Sequence, residues 1–130
     1  MGYRSHVTML MYGYERDFPM LKLWVEENMR PVLDEHWKEG DCFREEVFER
    51  GRFKGYAFEF ADIKWYESYP DVDAVEKAWE KFDELFDNIE EGSLILAGER
   101  ARVGEDYSDV EYAETRHAEN LLSIVRHAEY

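Results

Sequence analysis

The chain has 130 residues, with 31 Asp and Glu against 16 Lys and Arg, a formal net charge of −15 at pH 7, and it is 45% hydrophobic and 16% aromatic. That length supports a single domain over residues 1–130 whose core needs no metal or disulfide staple, and the aromatic content excludes a disordered composition. The charge disfavours naked nucleic acid and anionic membranes and favours a basic protein, attracted over long range and released by salt; solubility alone is the simpler use of the same charge.

The single Cys42 excludes an internal disulfide framework and a multi-Cys zinc site. Residues 1–5 lack the basic start and apolar run of a secretion signal, and no apolar stretch approaches the length of a membrane span. The expected setting is therefore a reducing cytoplasm.

Along the chain, residues 6–12 place Val7, Met9 and Met11 in alternation with His6, Thr8 and Leu10, the period-two pattern of a strand. Asp17 is the expected N-cap of a first helix, with Pro19 in its first turn. Leu21, Trp24, Val25, Met29, Val32 and Leu33 follow at helical spacing, with a kink or restart expected at Pro31. Gly40 closes that region, and residues 42–48 fit either a strand or a short helix and are taken as a second strand. Residues 50–55 suit a turn, after which Tyr56, Phe58 and Phe60 alternate with Ala57 and Glu59. The alternation resumes one residue out of phase at Ile63 and Trp65, which marks Ala61 and Asp62 as an expected bulge.

A second helix is expected over residues 73–88, where Val75, Ala78, Trp79, Phe82, Leu85, Phe86 and then Ile89 form one apolar stripe and Asp73 with Glu76 forms a start resembling a capping box. Residues 94–103 read as a strand, residues 104–109 as an acidic turn, and the last ten residues, with Leu122, Ile124 and Val125, as a closing strand. The resulting order is that of a ferredoxin-like α+β sandwich, with two helices on one face of an antiparallel sheet and an extra C-terminal strand. The opposite sheet face is then expected to be free for binding.

Motifs for chemistry are sparse. His6, His36, His117 and His127 have no company at ligand spacing, and neither a zinc-hydrolase motif nor a calcium loop is present. Acidic pairs such as Asp71 with Asp73 occur by chance in a chain this rich in carboxylates. Cys42 lies beside Asp41 and near Glu45 and Glu46, a setting that raises rather than lowers a thiol pKa if those groups are close in space. No cofactor, no metal and no catalytic residue is expected.

The more pronounced constellation is the polar side of the second predicted helix. Asp73, Glu76, Glu80, Asp83, Glu84, Asp87, Glu90 and Glu91 recur mostly at steps of three or four, relieved by Lys77 and Lys81. At 1.5 Å per residue the run covers roughly 27 Å, comparable in reach to a stretch of nucleic-acid backbone though sparser than its one charge per ~1.7 Å. A solvated helix face is the plainer reading of such a ridge. Further carboxylates at Glu26, Glu27, Asp34, Glu35, Glu45, Glu46 and Glu49, and from Glu105 to Glu114 near the end, add self-repulsion that a binding role would justify. Tyr66 and Tyr69, beside a Trp65 expected in the core, are the candidate aromatic anchors.

Three segments carry a resemblance: Gly2-Tyr3-Arg4-Ser5 before the first strand, DIKWYESYPDV over residues 62–72, and GEDYSDVEY over residues 104–112. In these the chain resembles a family of small uncharacterised phage and prophage proteins. The resemblance implies a viral accessory protein made in a bacterial host cell, without any activity to carry over. Joined to the charge, it leads to the expectation of an anti-defence inhibitor or adaptor that binds a basic, nucleic-acid-handling host protein through a DNA-mimicking surface. The competing expectations are a small ligand-binding domain or enzyme on the free sheet face, and a self-assembling phage component with a symmetric homo-oligomer.

Overall fold

The computed structural model describes residues 4–38, 40, 42–66, 68–87, 96–105 and 109–115, with backbone alone at 86–87. Strand β1 (Ser5–Tyr14) runs through a short 3-10 turn (Glu15–Asp17) into helices α1 (Phe18–Asn28) and α2 (Arg30–His36). The hairpin β2 (Phe43–Arg50) and β3 (Phe53–Ile63) follows, then helix α3 (Pro70–Asp87) and strands β4 (Leu96–Gly104) and β5 (Val110–Glu114). The strands form one open antiparallel sheet in the order β2-β3-β1-β4-β5. The fold is α+β, a five-stranded sheet with three helices.

The alternation in β1 and β3 decides which face the helices cover. Val7, Met9 and Met11, with Tyr56, Phe58 and Phe60 beside them, pack against Leu21, Trp24 and Val25 of α1, Leu33 of α2, and Val75, Trp79 and Phe82 of α3. Each large side chain buried there is worth about 1.5–3 kcal/mol, so this layer supplies most of the drive to fold. Trp24 and Phe82 meet edge to face with centroids 5.0 Å apart, joining α1 to α3, and Trp37 packs edge-on to Phe60 at 4.8 Å. Trp65 is buried in this layer, as expected, although it lies beyond the end of β3.

The other sheet face is not free at its centre. Leu10, Tyr12, Ala97 and Ala101 are buried there, with Phe48, Phe53 and Ala57 packed against them. The expectation of a free binding face overlooked Leu10 and Tyr12, two large side chains of β1 that are buried on it.

Local chemistry explains where the elements stop. Pro31 sits in the first turn of α2 and has no N–H to give to the preceding turn, so α1 ends at Asn28, Met29 caps it, and α2 restarts at Arg30. The Leu33 N–H still reaches the Met29 carbonyl at 2.9 Å, which carries the chain across the break. Asp17 is not the side-chain cap that its position suggested. It is buried and makes no capping hydrogen bond, because the 3-10 turn feeds straight into α1. Gly51, at φ 60°, supplies the left-handed residue of the β2–β3 turn.

Two other boundaries differ from the sequence reading. Helix α3 starts at Pro70 rather than Asp73, since proline is pre-set for a first helical turn; Asp73 instead pairs with Lys77 one turn on, at 2.9 Å. Strand β5, next to β4, occupies residues that had been read only as acidic surface. The closing strand expected over the last ten residues, and residues 88–95 at the end of the second predicted helix and the start of the next strand, lie outside the described residues.

The bulge is where the phase slip placed it. Between the pairs Ser5↔Ile63 and Val7↔Phe60 there is one residue on β1 and two on β3, Ala61 and Asp62. Asp62 adopts φ 57°, a conformation that aspartate tolerates and β-branched residues do not. Asp62→Gly is therefore expected to leave stability within about 0.5 kcal/mol of wild type, whereas Asp62→Val is expected to cost about 1–3 kcal/mol. Urea denaturation of both variants checks this, and equal effects would contradict it.

Candidate functional site

Helix α3 turns one side into the core and the other outward, and this sorts the predicted carboxylates. Glu80 and Glu84 are exposed, and Asp83 is half-buried. Asp73 is engaged by Lys77, and Lys81 also lies on the exposed side. Glu76 departs from the ridge altogether: its side chain is 16% exposed and is held by Arg100 of β4. The side chain of Asp87, and Glu90 and Glu91, fall outside the described residues. The described part of the ridge is therefore two exposed carboxylates, Glu80 and Glu84, and two half-buried ones, Asp73 and Asp83, interleaved with two exposed lysines, a weaker array than the sequence count.

The outer surface of the helix layer carries apolar groups as well. Met20 and Leu23 on α1 and Leu85 on α3 are 48%, 59% and 50% exposed, and they flank the Trp24–Phe82 contact along their own helices. Tyr66 and Tyr69 are both exposed, as expected, and meet edge to face at 5.4 Å just before α3. Glu27 on α1 and Asp34 on α2 are exposed and make no ion pair among the described residues.

Three arginines, by contrast, are drawn inward, while Lys22 on α1 and Lys77 and Lys81 on α3 remain exposed. Arg30 donates through both terminal nitrogens to Glu45 of β2 at 2.7 Å and through Nε to Glu26 at 3.3 Å. The Glu45 carboxylate, then Glu26, holds that guanidinium charged well above its already high pKa. Arg102 of β4 donates from Nε to Glu111 at 3.1 Å, from Nη1 to Ser5 Oγ at 3.0 Å and Asp109 at 3.2 Å, and from Nη2 to Asp109 at 2.7 Å. Its partner Glu111 is held below the usual carboxylate range by that hydrogen bond.

Arg100, two residues earlier on the same face of β4, reaches across to α3. Its Nε and Nη2 both donate to Glu76 Oε1, the same oxygen that accepts the Trp65 indole N–H at 2.8 Å. Between α3, the Trp65–Tyr66 segment and the two arginines lies a cleft of about 420 Å³. Ser5, Asp109 and Glu111 complete its far wall.

The opposite sheet face holds a second polar centre. Glu99 is fully buried and accepts the Tyr12 hydroxyl at 2.5 Å and the Tyr112 hydroxyl at 2.8 Å. Two phenol donors are the kind of partner a buried carboxylate requires. Burial, then Glu99 and Glu114, keeps the Tyr112 phenol protonated far beyond its ordinary range. His6 lies on this face with Nε2 3.1 Å from Glu59, while His117 and His127 are outside the described residues.

None of Glu99, Arg100, Arg102 and Tyr112 was singled out from sequence. The available signal was the run Gly-Glu-Arg-Ala-Arg inside an otherwise strand-like stretch: charges at adjacent positions of a strand point to opposite faces, so in an inner strand they must find partners on both. Among the described residues no group of three or more His, Cys, Asp or Glu is arranged to hold a metal ion, and no helix is long and apolar enough to cross a membrane. No protein-family model matches the chain, and neither the curated proteins nor the solved structures give a match.

Proposed function

We propose that the protein is a binding module, not an enzyme, that takes a basic protein partner on the acidic outer surface of its helix layer. The observation that carries this is the segregation of charge. Arg30, Arg100 and Arg102 are spent on carboxylates of the same fold, while Glu27, Asp34, Glu80 and Glu84 stand outward on three successive helices. Such a surface steers a cationic partner, and Met20, Leu23 and Leu85 offer it apolar contacts at close range. Tyr66 and Tyr69 are the aromatic anchors at the other end of α3.

In this reading the charge imitation belongs to the whole helix layer, because Lys77 and Lys81 interrupt α3. The resemblance to phage and prophage proteins gives the setting: an accessory protein that blocks a nucleic-acid-handling or defence protein of a bacterial host. We read the architecture as ferredoxin-like, since the order β2-β3-β1-β4, with helices between β1 and β2 and between β3 and β4, is the order of that fold, to which β5 is added at the edge.

The test is capture of partners from bacterial lysate at low and at high salt, by the wild-type protein and by Glu80→Gln/Asp83→Asn/Glu84→Gln. The expected result is a basic protein that is retained at low salt, lost at high salt, and bound at least about tenfold more weakly by the variant. Equal capture by both proteins at both salts would remove the charge-based reading.

A further inference from the structure

The cleft beside α3 has unused hydrogen-bonding capacity at two nearly buried groups. Arg100 and Glu76 are 10% and 16% exposed in their side chains. All of their contacts are accounted for: three N–H donors converge on Glu76 Oε1, from Trp65 and from Nε and Nη2 of Arg100. That leaves the second oxygen of Glu76 and Nη1 of Arg100 without a partner among the described residues, one an acceptor and the other a donor, in the wall of a cleft of about 420 Å³. Buried polar groups with no protein partner call for a ligand or ordered solvent.

The charges of the cleft restrict what the ligand is. Two guanidiniums, Arg100 and Arg102, face three carboxylates, Glu76, Asp109 and Glu111, so the sum is −1 and a phosphate or carboxylate ligand would meet net repulsion. Arg102 is no anchor for one either, since its Nε, Nη1 and Nη2 are all already donating. A cation would meet Arg100. What fits is a neutral group that can donate to Glu76 and accept from Arg100 at the same time, on a body with an apolar side that can lie against Tyr66 and Trp65. A pair of neighbouring hydroxyls on a sugar ring satisfies both demands, and the volume suits one or two rings.

The geometry points to a saccharide-binding subsite in this cleft, held by Glu76 and Arg100 with Tyr66 as the apolar wall. This site adjoins the proposed partner surface at Tyr66, but it is argued from Glu76 and Arg100 and does not depend on the partner-binding reading. For a ligand of monosaccharide size, the dissociation constant should be of the order of 1 mM.

The test is a 15N-correlated NMR titration of the full chain with D-glucose, D-galactose, N-acetyl-D-glucosamine and cellobiose, and in parallel with adenosine and cytidine. The four Trp indole N–H signals make the readout simple, and Trp65→Phe assigns the relevant one. At least one saccharide should shift the Trp65 indole signal in a saturable way, and Tyr66→Ala, at an exposed position, should weaken that binding about fivefold or more. Glu76→Gln, which replaces the free acceptor with an amide, should abolish it where the variant remains folded. Absence of a saturable shift with every saccharide would overturn the proposal, as would saturation by the nucleosides alone or an identical response in Tyr66→Ala.

Discussion

Gly55→Ala is expected to destabilise the protein by at least about 3 kcal/mol, at or beyond the upper end of ordinary overpacking. Gly55 lies in β3 opposite Tyr12 of the central strand β1. A β-carbon there would sit 2.5 Å from Tyr12 Cβ and run into the backbone oxygen of Met11. Neither neighbour can yield, because β1 is paired on both sides, with β3 and with β4. Gly98 offers the contrast: a β-carbon there would meet the ring edges of Phe82 and Trp79 at 2.9 Å, which are side-chain atoms able to shift. Gly98→Ala should therefore cost less than Gly55→Ala, and thermal unfolding of the two variants measures the difference. A Gly55→Ala protein melting near wild type would contradict the close β1–β3 approach.

Glu76→Ala should cost about 3–5 kcal/mol, the usual effect of removing one partner of a buried ion pair. The loss comes mainly from Arg100, left charged at 10% side-chain exposure without its carboxylate, and partly from the Trp65 indole N–H, which loses its acceptor. For a chain of this size the melting temperature should fall by roughly 10–15 °C. Replacing both partners, as in Glu76→Ala/Arg100→Met, should recover most of the deficit, since an apolar substitute removes the stranded charge. A single variant within about 1 kcal/mol of wild type, outside that buried-pair range, or a double variant no better than Glu76→Ala, would show that the pair is not the brace between α3 and β4 described above.

These two residues also show how far the sequence could be read. Periodicity located β1, the α1–α2 break at Pro31, the β3 bulge at Ala61 and Asp62 and the stripe of α3 from Val75 to Phe82, because each depends on neighbours within a few positions; Leu85, expected in that stripe, is half exposed. Gly55 was read as a turn residue, since the need for its missing side chain is created by Tyr12, more than forty positions away in sequence. Glu76 was placed on the acidic ridge because helical spacing gives its direction only to within a face. The residue that turns it inward, Arg100, is 24 positions further along. Strand β5 was missed for a related reason: residues 110–114 alternate too briefly and too acidically to declare a strand until β4 lies beside them. Charge composition was legible at once, yet its distribution was not, because that depends on which cations the fold draws inward.

The claim that the outer helix surface receives a basic partner is tested most directly by zero-length carbodiimide cross-linking of the captured complex, which joins carboxylates of this chain to lysines of whatever touches them. The predicted result is that Glu80, Glu84 and Glu27 form the cross-links, in low salt only and to a basic protein. Cross-links confined to the β2 edge at Glu46 and Glu49, or none at any carboxylate of the helix layer, would contradict it.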